Sequence, residues 1–167
     1  AADMQVAERL APADVLIATM KMSTLQPPDR DRSEYARLAA RAPGFLHLHR
    51  TIFWTLTERW GAAPGDALAF ARDLARRSGG TELPMFVPYA HWERHWYLEN
   101  MRRDAASAKA LLLDPQVRAE CVAAYEHTLG SSQHGTTVDT WWYRQLAATW
   151  FLSVFEASGD VADRERA

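Results

Sequence analysis

The stretch DPQVRAECVAAYEHTLG, Asp114 to Gly130, decides the fold class, because its two ends and its interior agree on one structure. Asp114 is a residue type whose short acceptor side chain caps a helix, and Pro115 suits the first helical position, where its missing N–H costs nothing. Gly130 supplies the stop. Between them Val117, Cys121, Ala124 and Tyr125 recur at helical spacing.

The same grammar repeats outward from that stretch. Upstream, Asp31 followed by Glu34 forms a capping pair that opens a helix to about Ala42, where Pro43-Gly44 interrupts it. A helix from Phe45 to Trp60 ends at Gly61. Another from Asp66 to Arg77 carries Leu68, Phe70, Ala71 and Leu74 and stops at Ser78-Gly79-Gly80. A segment from about Val87 to Asp104 reads as helix, as does Leu10 to Met22 despite the β-compatible run Val15-Leu16-Ile17. Downstream, Thr136 and Asp139 open a last long helix to about Ala157. Hardly a strand is left, so the expectation is all-α, an irregular bundle of about six to eight helices.

With 167 residues the chain is most simply a single domain, since single cores run to about 100–200 residues. Gln26 to Arg32, with Pro27-Pro28 and alternating charges, is a linker that sets off a short N-terminal segment. Residues 158 to 167 are polar and are expected to fray.

Composition excludes some functions. Hydrophobic residues make up 48% and charged residues 24%, which supports a packed core rather than disorder. A formal net charge of −2 supplies no concentrated basic face, so no nucleic-acid partner is expected. The longest apolar tract, Leu146 to Phe155, is about half the roughly 20 residues of a membrane helix, so no membrane span is expected. Cys121 is the only cysteine, which rules out an intrachain disulfide and a thiolate metal cluster from one chain. No basic segment followed by an apolar run opens the chain, and a cytoplasmic location is the expectation unless a signal peptide has been removed.

One stretch carries a chemical signal, His91-Trp92-Glu93-Arg94-His95-Trp96-Tyr97-Leu98-Glu99. On a helix His95 falls about 40° and Glu99 about 80° from His91, with Arg102 between the two histidines at about 20°. Two imidazoles and a carboxylate on one stripe are the donors an iron or manganese site or a haem would use, with further ligands from other helices. His49 and His127 are the candidates for those. The stripe has an ordinary explanation too, since i,i+4 pairs stabilise a helix without any metal. The paired Glu-x-x-His motif of ferritin-like di-iron bundles is absent.

The second signal is aromatic. Seven tryptophans and a basic complement that is arginine except for Lys21 and Lys109 are the residue types that anchor interfaces. In the last helix Trp142, Leu146, Trp150 and Val154 fill one face and Trp141, Ala148, Phe151, Leu152 and Phe155 much of another. Such a helix is central in a bundle or half of an interface. Its narrow polar strip, Gln145, Thr149, Ser153 and Glu156, is expected to face a ligand or the histidine helix.

Two functions are compatible with these signals. The first is a helical accessory protein that docks another polypeptide, or a second copy of itself, through Trp92, Trp96, Trp141, Trp142 and Arg102, as the small subunit of a larger enzyme would. The second is a metalloprotein using His91, His95 and Glu99 for redox or oxygen chemistry. The docking reading requires fewer unseen residues, and no complete catalytic set decides whether the chain is an enzyme.

Overall fold

The computed structural model describes residues 12–78, 81–128 and 138–167, with backbone alone for 138–141. Among them every regular element is helical and no strand occurs. The chain divides into two compact units, residues 1–67 and 68–167. The division therefore falls just inside a helix, and not at Gln26 to Arg32.

In the first unit α1 (Ala13–Ser23) and α2 (Arg32–Arg41) both pack on α3 (Leu46–Phe53). The stretch expected as a linker is a 3₁₀ turn, Pro27–Asp29, with Pro27 buried. Arg30 holds it, donating to the carbonyls of Leu25 at 3.2 Å and Ser23 at 3.4 Å at the end of α1, and to that of Thr51 on α3. Those are carbonyls that a helix end leaves without an internal partner. Asp31 caps α2 as expected, accepting from the backbone N–H groups of Ser33 at 2.8 Å and Glu34 at 3.3 Å. Glu34 does not return the cap but pairs with Arg37 at 2.6 Å.

The helix expected to run from Phe45 to Trp60 ends at Phe53 and continues as two 3₁₀ turns, Trp54–Leu56 and Glu58–Trp60. Threonine hydroxyls explain the break. Thr55 donates to the Ile52 carbonyl at 2.7 Å and Thr57 to that of Trp54 at 3.0 Å, offering the backbone local partners that compete with helical ones. At the other end His49, buried on α3, is fixed by two bonds. Its Nε2–H donates to the Pro43 carbonyl at 2.7 Å, so Nδ1 accepts from the Tyr35 hydroxyl of α2 at 3.0 Å.

The second unit is built around α5 (Phe86–Trp96), which packs against α6 (Ala105–Leu113), α7 (Pro115–His127) and α8 (Val138–Ser158). Asp114 caps α7 through the N–H groups of Gln116 and Val117, at 2.8 and 3.4 Å. Leu146, Trp150, Phe151 and Val154 of α8 are buried, with Trp150 at 0% exposure. The helix is thus buried on one side only, since Leu152 of its second apolar face is 45% exposed. α4 (Asp66–Arg77) joins through Phe70, whose ring meets Phe86 of α5 edge-on at 6.5 Å.

The second unit departs from expectation in three places. The segment expected as one helix to Asp104 changes to a π turn at Tyr97–Met101, closed by the Arg102 N–H on the Tyr97 carbonyl at 3.0 Å. Arg103 then takes φ +58°, the left-handed conformation that ends the segment. Next comes α6, an unforeseen helix, capped by Asp104 on the Ser107 N–H at 3.0 Å. Finally, the tail expected to fray is a helix, α9 (Val161–Arg166), packed on α8 and capped by Asp160. Arg118 of α7 holds Asp160 at 2.8 Å and the buried Asp163.

Candidate functional site

The histidine row does not converge. His91 is 3% exposed, and its Nε2–H donates to Glu120 Oε2 of α7 at 3.0 Å. Glu120 in turn accepts both donors of an arginine fork from α4, Arg72 Nε at 2.6 Å and Nη2 at 2.9 Å. A chain of hydrogen bonds therefore runs from the exposed Arg72 to the core beside Trp150, whose ring lies 5.9 Å from that of His91.

The protonation states are set by this geometry. The Arg72 fork, assisted by His91, holds the Glu120 carboxyl below the usual carboxylate range against the opposing effect of burial. Burial dominates at His91 and lowers its pKa, with the Glu120 hydrogen bond and charge opposing it. His91 is thus a neutral donor to an ionised acceptor. Cys121, next in the chain, is buried, and burial together with the Glu120 charge pushes its thiol well up. That is the environment of an inert cysteine, not of a nucleophile.

His95 turns elsewhere. Its Nδ1 lies 3.3 Å from the Ala108 carbonyl of α6, and its Nε2 lies 3.5 Å from Glu99 Oε2. Both line a polar cavity of about 350 Å³ with Lys109, Ser153 and Glu156. Of the polar strip of α8 only Ser153 and Glu156 reach this cavity at the end of the histidine helix, while Gln145 and Thr149 are exposed. Among the described residues no group of three His, Cys, Asp or Glu side chains is placed to hold one metal ion. His49, proposed as a further ligand, has both ring nitrogens engaged by Pro43 and Tyr35. His127, the other candidate, is exposed on α7.

The proposed docking residues are partly brought together. Trp92 and Trp142 are half-buried, and Tyr89 stands between them, stacked on Trp92 at 6.3 Å and edge-on to Trp142 at 5.3 Å. Trp96 is half-buried on α5 and Arg102 is exposed after the π turn. The Trp141 side chain lies outside the described residues.

Sequence reading missed the feature beside the Arg72–Glu120–His91 chain, an open groove of about 410 Å³ between α4 and α7. Its floor is Ala75, Pro84, Val87, Ala123 and Ala124, and its rim Arg72, Arg76, Glu120 and His127. The spacing is helical on both walls. Arg72, Ala75 and Arg76 share one face of α4, and Glu120, Ala123, Ala124 and His127 share one face of α7. The small residues on those faces were the legible signal, because alanine lets a neighbouring element come close.

Neither a family model, nor a curated protein, nor a solved structure matches this chain.

Proposed function

We propose that the protein is a helical accessory module that docks an amphipathic helical segment of another polypeptide in the groove between α4 and α7. The observation that carries this is the groove itself, an apolar floor of small side chains rimmed by two arginines, a glutamate and a histidine and open to solvent. A helix laid in such a groove buries its apolar stripe while its polar face stays wet, which is a recurring mode of peptide recognition. Two walls of alanine permit the close approach that mode needs. The Arg72–Glu120–His91 chain supports the reading in another way, because it braces α4, α5 and α7 and so holds the walls in place before a partner arrives.

Site-specific photo-crosslinking tests it. With a benzophenone amino acid at Ala75, in cells that make the protein, one discrete polypeptide adduct is expected. It should disappear when Ala123→Trp fills the groove, and it should not form from the exposed Ala110 of α6. Equal adducts from Ala75 and Ala110, or persistence in the folded Ala123→Trp variant, would overturn the assignment of the groove. An adduct between two copies of this chain would make the partner a second copy.

A further inference from the structure

The charges around the groove specify what its occupant must carry. Arg72 is already engaged, since two of its nitrogens lie on Glu120 at 2.6 and 2.9 Å. Glu120 is engaged on both sides, by Arg72 and by His91. Arg76 differs. Among the described residues its one ion pair is a single contact to Asp73 at 3.3 Å, and Asp73 is also held by Arg77 one residue further on. The Arg76 side chain lines the groove and is 70% exposed, so among the described residues most of its guanidinium donors have no protein acceptor. His127 stands exposed on the facing helix wall.

We propose that the docked segment is acidic, with a glutamate or aspartate beside its apolar stripe whose carboxylate is taken by Arg76 and His127 over the floor of Ala75, Ala123 and Ala124. This rests on the groove as the docking site and adds the partner's chemistry to it. A guanidinium fork matches a carboxylate in shape and charge, which gives specificity as well as attraction. Glu120 works against such a partner. It is the one carboxylate lining the groove among the described residues, and it occupies the second arginine.

The effect of removing that carboxylate is counterintuitive. Glu120→Gln removes a repelling charge and releases Arg72, so it should tighten binding of an acidic segment while loosening the fold. A Glu120 that served only to brace the helices could not give that pair of results, because weakening the brace alone would weaken binding.

The experiment uses three 14-residue amphipathic peptides, each with leucines on one helical face and a single Glu, Gln or Lys beside that face. They are titrated to millimolar concentration into the full chain and followed by the backbone amide signals of Ala75, Val87 and Ala123. Affinity is expected in the order Glu, Gln, Lys. Arg76→Gln should weaken the Glu peptide about tenfold and leave the Gln peptide unchanged. Glu120→Gln should tighten the Glu peptide about threefold, an effect that shrinks as salt rises. Equal affinities for the three peptides would overturn the acidic partner and leave the groove reading standing. Tighter binding of the Lys peptide would overturn it in favour of a basic partner. No shift at the groove with any peptide would overturn both.

Discussion

His91 Nε2 and Glu120 Oε2 lie 3.0 Å apart, a buried imidazole donating to a carboxylate whose other contacts are to an exposed arginine. That single bond ties the central helix of the second unit to α7, and through Arg72 to α4. It also makes stability depend on pH in a defined direction. Both groups titrate below their ordinary values in the folded chain, so at acidic pH the unfolded chain binds more protons than the folded one. The contribution of His91 is present above its unfolded value, about 6.5, and is lost as pH falls through the lower folded one. That of Glu120 is present above about 4.3 and is lost below that.

The urea midpoint of the protein should therefore fall from pH 7 to pH 5. His47, whose pKa is also lowered by burial and the nearby Arg50 and Arg30, adds a fall of the same sign. His91→Gln keeps an N–H donor for Glu120 and cannot titrate, so it should flatten part of this slope. An identical slope in the variant would mean that His91 does not titrate as its burial dictates.

Loss of the shared carboxylate should be measurable at neutral pH. Glu120→Gln replaces charge-assisted bonds to Arg72 and His91 by neutral ones and should cost about 1–2 kcal/mol in equilibrium unfolding, discounted because Glu120 is partly exposed. A cost near zero would show that the chain of bonds does not brace the helices.

In the first unit, Tyr35→Phe removes the hydroxyl that His49 Nδ1 accepts from and should cost about 0.5–1.5 kcal/mol. Tyr35→Phe combined with His49→Ala tests the coupling, since two residues in direct contact should not add. Additive losses would mean that the bond is absent in solution.

The end of the described chain gives a further check. Asp163 is 1% exposed and depends on Arg118, with Arg166 farther away at 3.8 Å. Arg118→Met leaves that carboxylate buried with a weakened partner. The expected cost is about 2 kcal/mol, with faster proteolysis of α9. Unchanged proteolysis would show that Arg118 does not hold α9 down.

How far the sequence carried is visible at particular residues. Asp31 and Asp114 announced their helices because a capping side chain acts on the N–H groups two and three residues on, within reach of local reading. The apolar faces of α8 left a central helix and an interface both open, because which of them is covered, Trp150 at 0% exposure and Leu152 at 45%, depends on neighbours outside the helix. Thr55 and Thr57 broke α3 through hydroxyl bonds that compete with the helix on nearly equal terms, a balance that periodicity does not weigh. Ala105 to Leu113 went unread as a helix because its apolar residues show no single face. The His91 row was legible as a row but not as a destination. Glu120 lies 29 residues away in sequence, and nothing within α5 says that His91 turns to α7 while His95 turns to the Ala108 carbonyl. The groove needed both walls at once, though each wall's alanines were in view.

The most direct measurement of groove docking is the affinity of the leucine-stripe Glu peptide for the wild-type chain and for Ala123→Trp, by fluorescence anisotropy, with circular dichroism confirming that both are folded. An indole at Ala123 should occupy the floor and weaken binding by more than about tenfold, as filling the centre of an interface does. An unchanged Kd in the folded variant would place the peptide somewhere other than between α4 and α7.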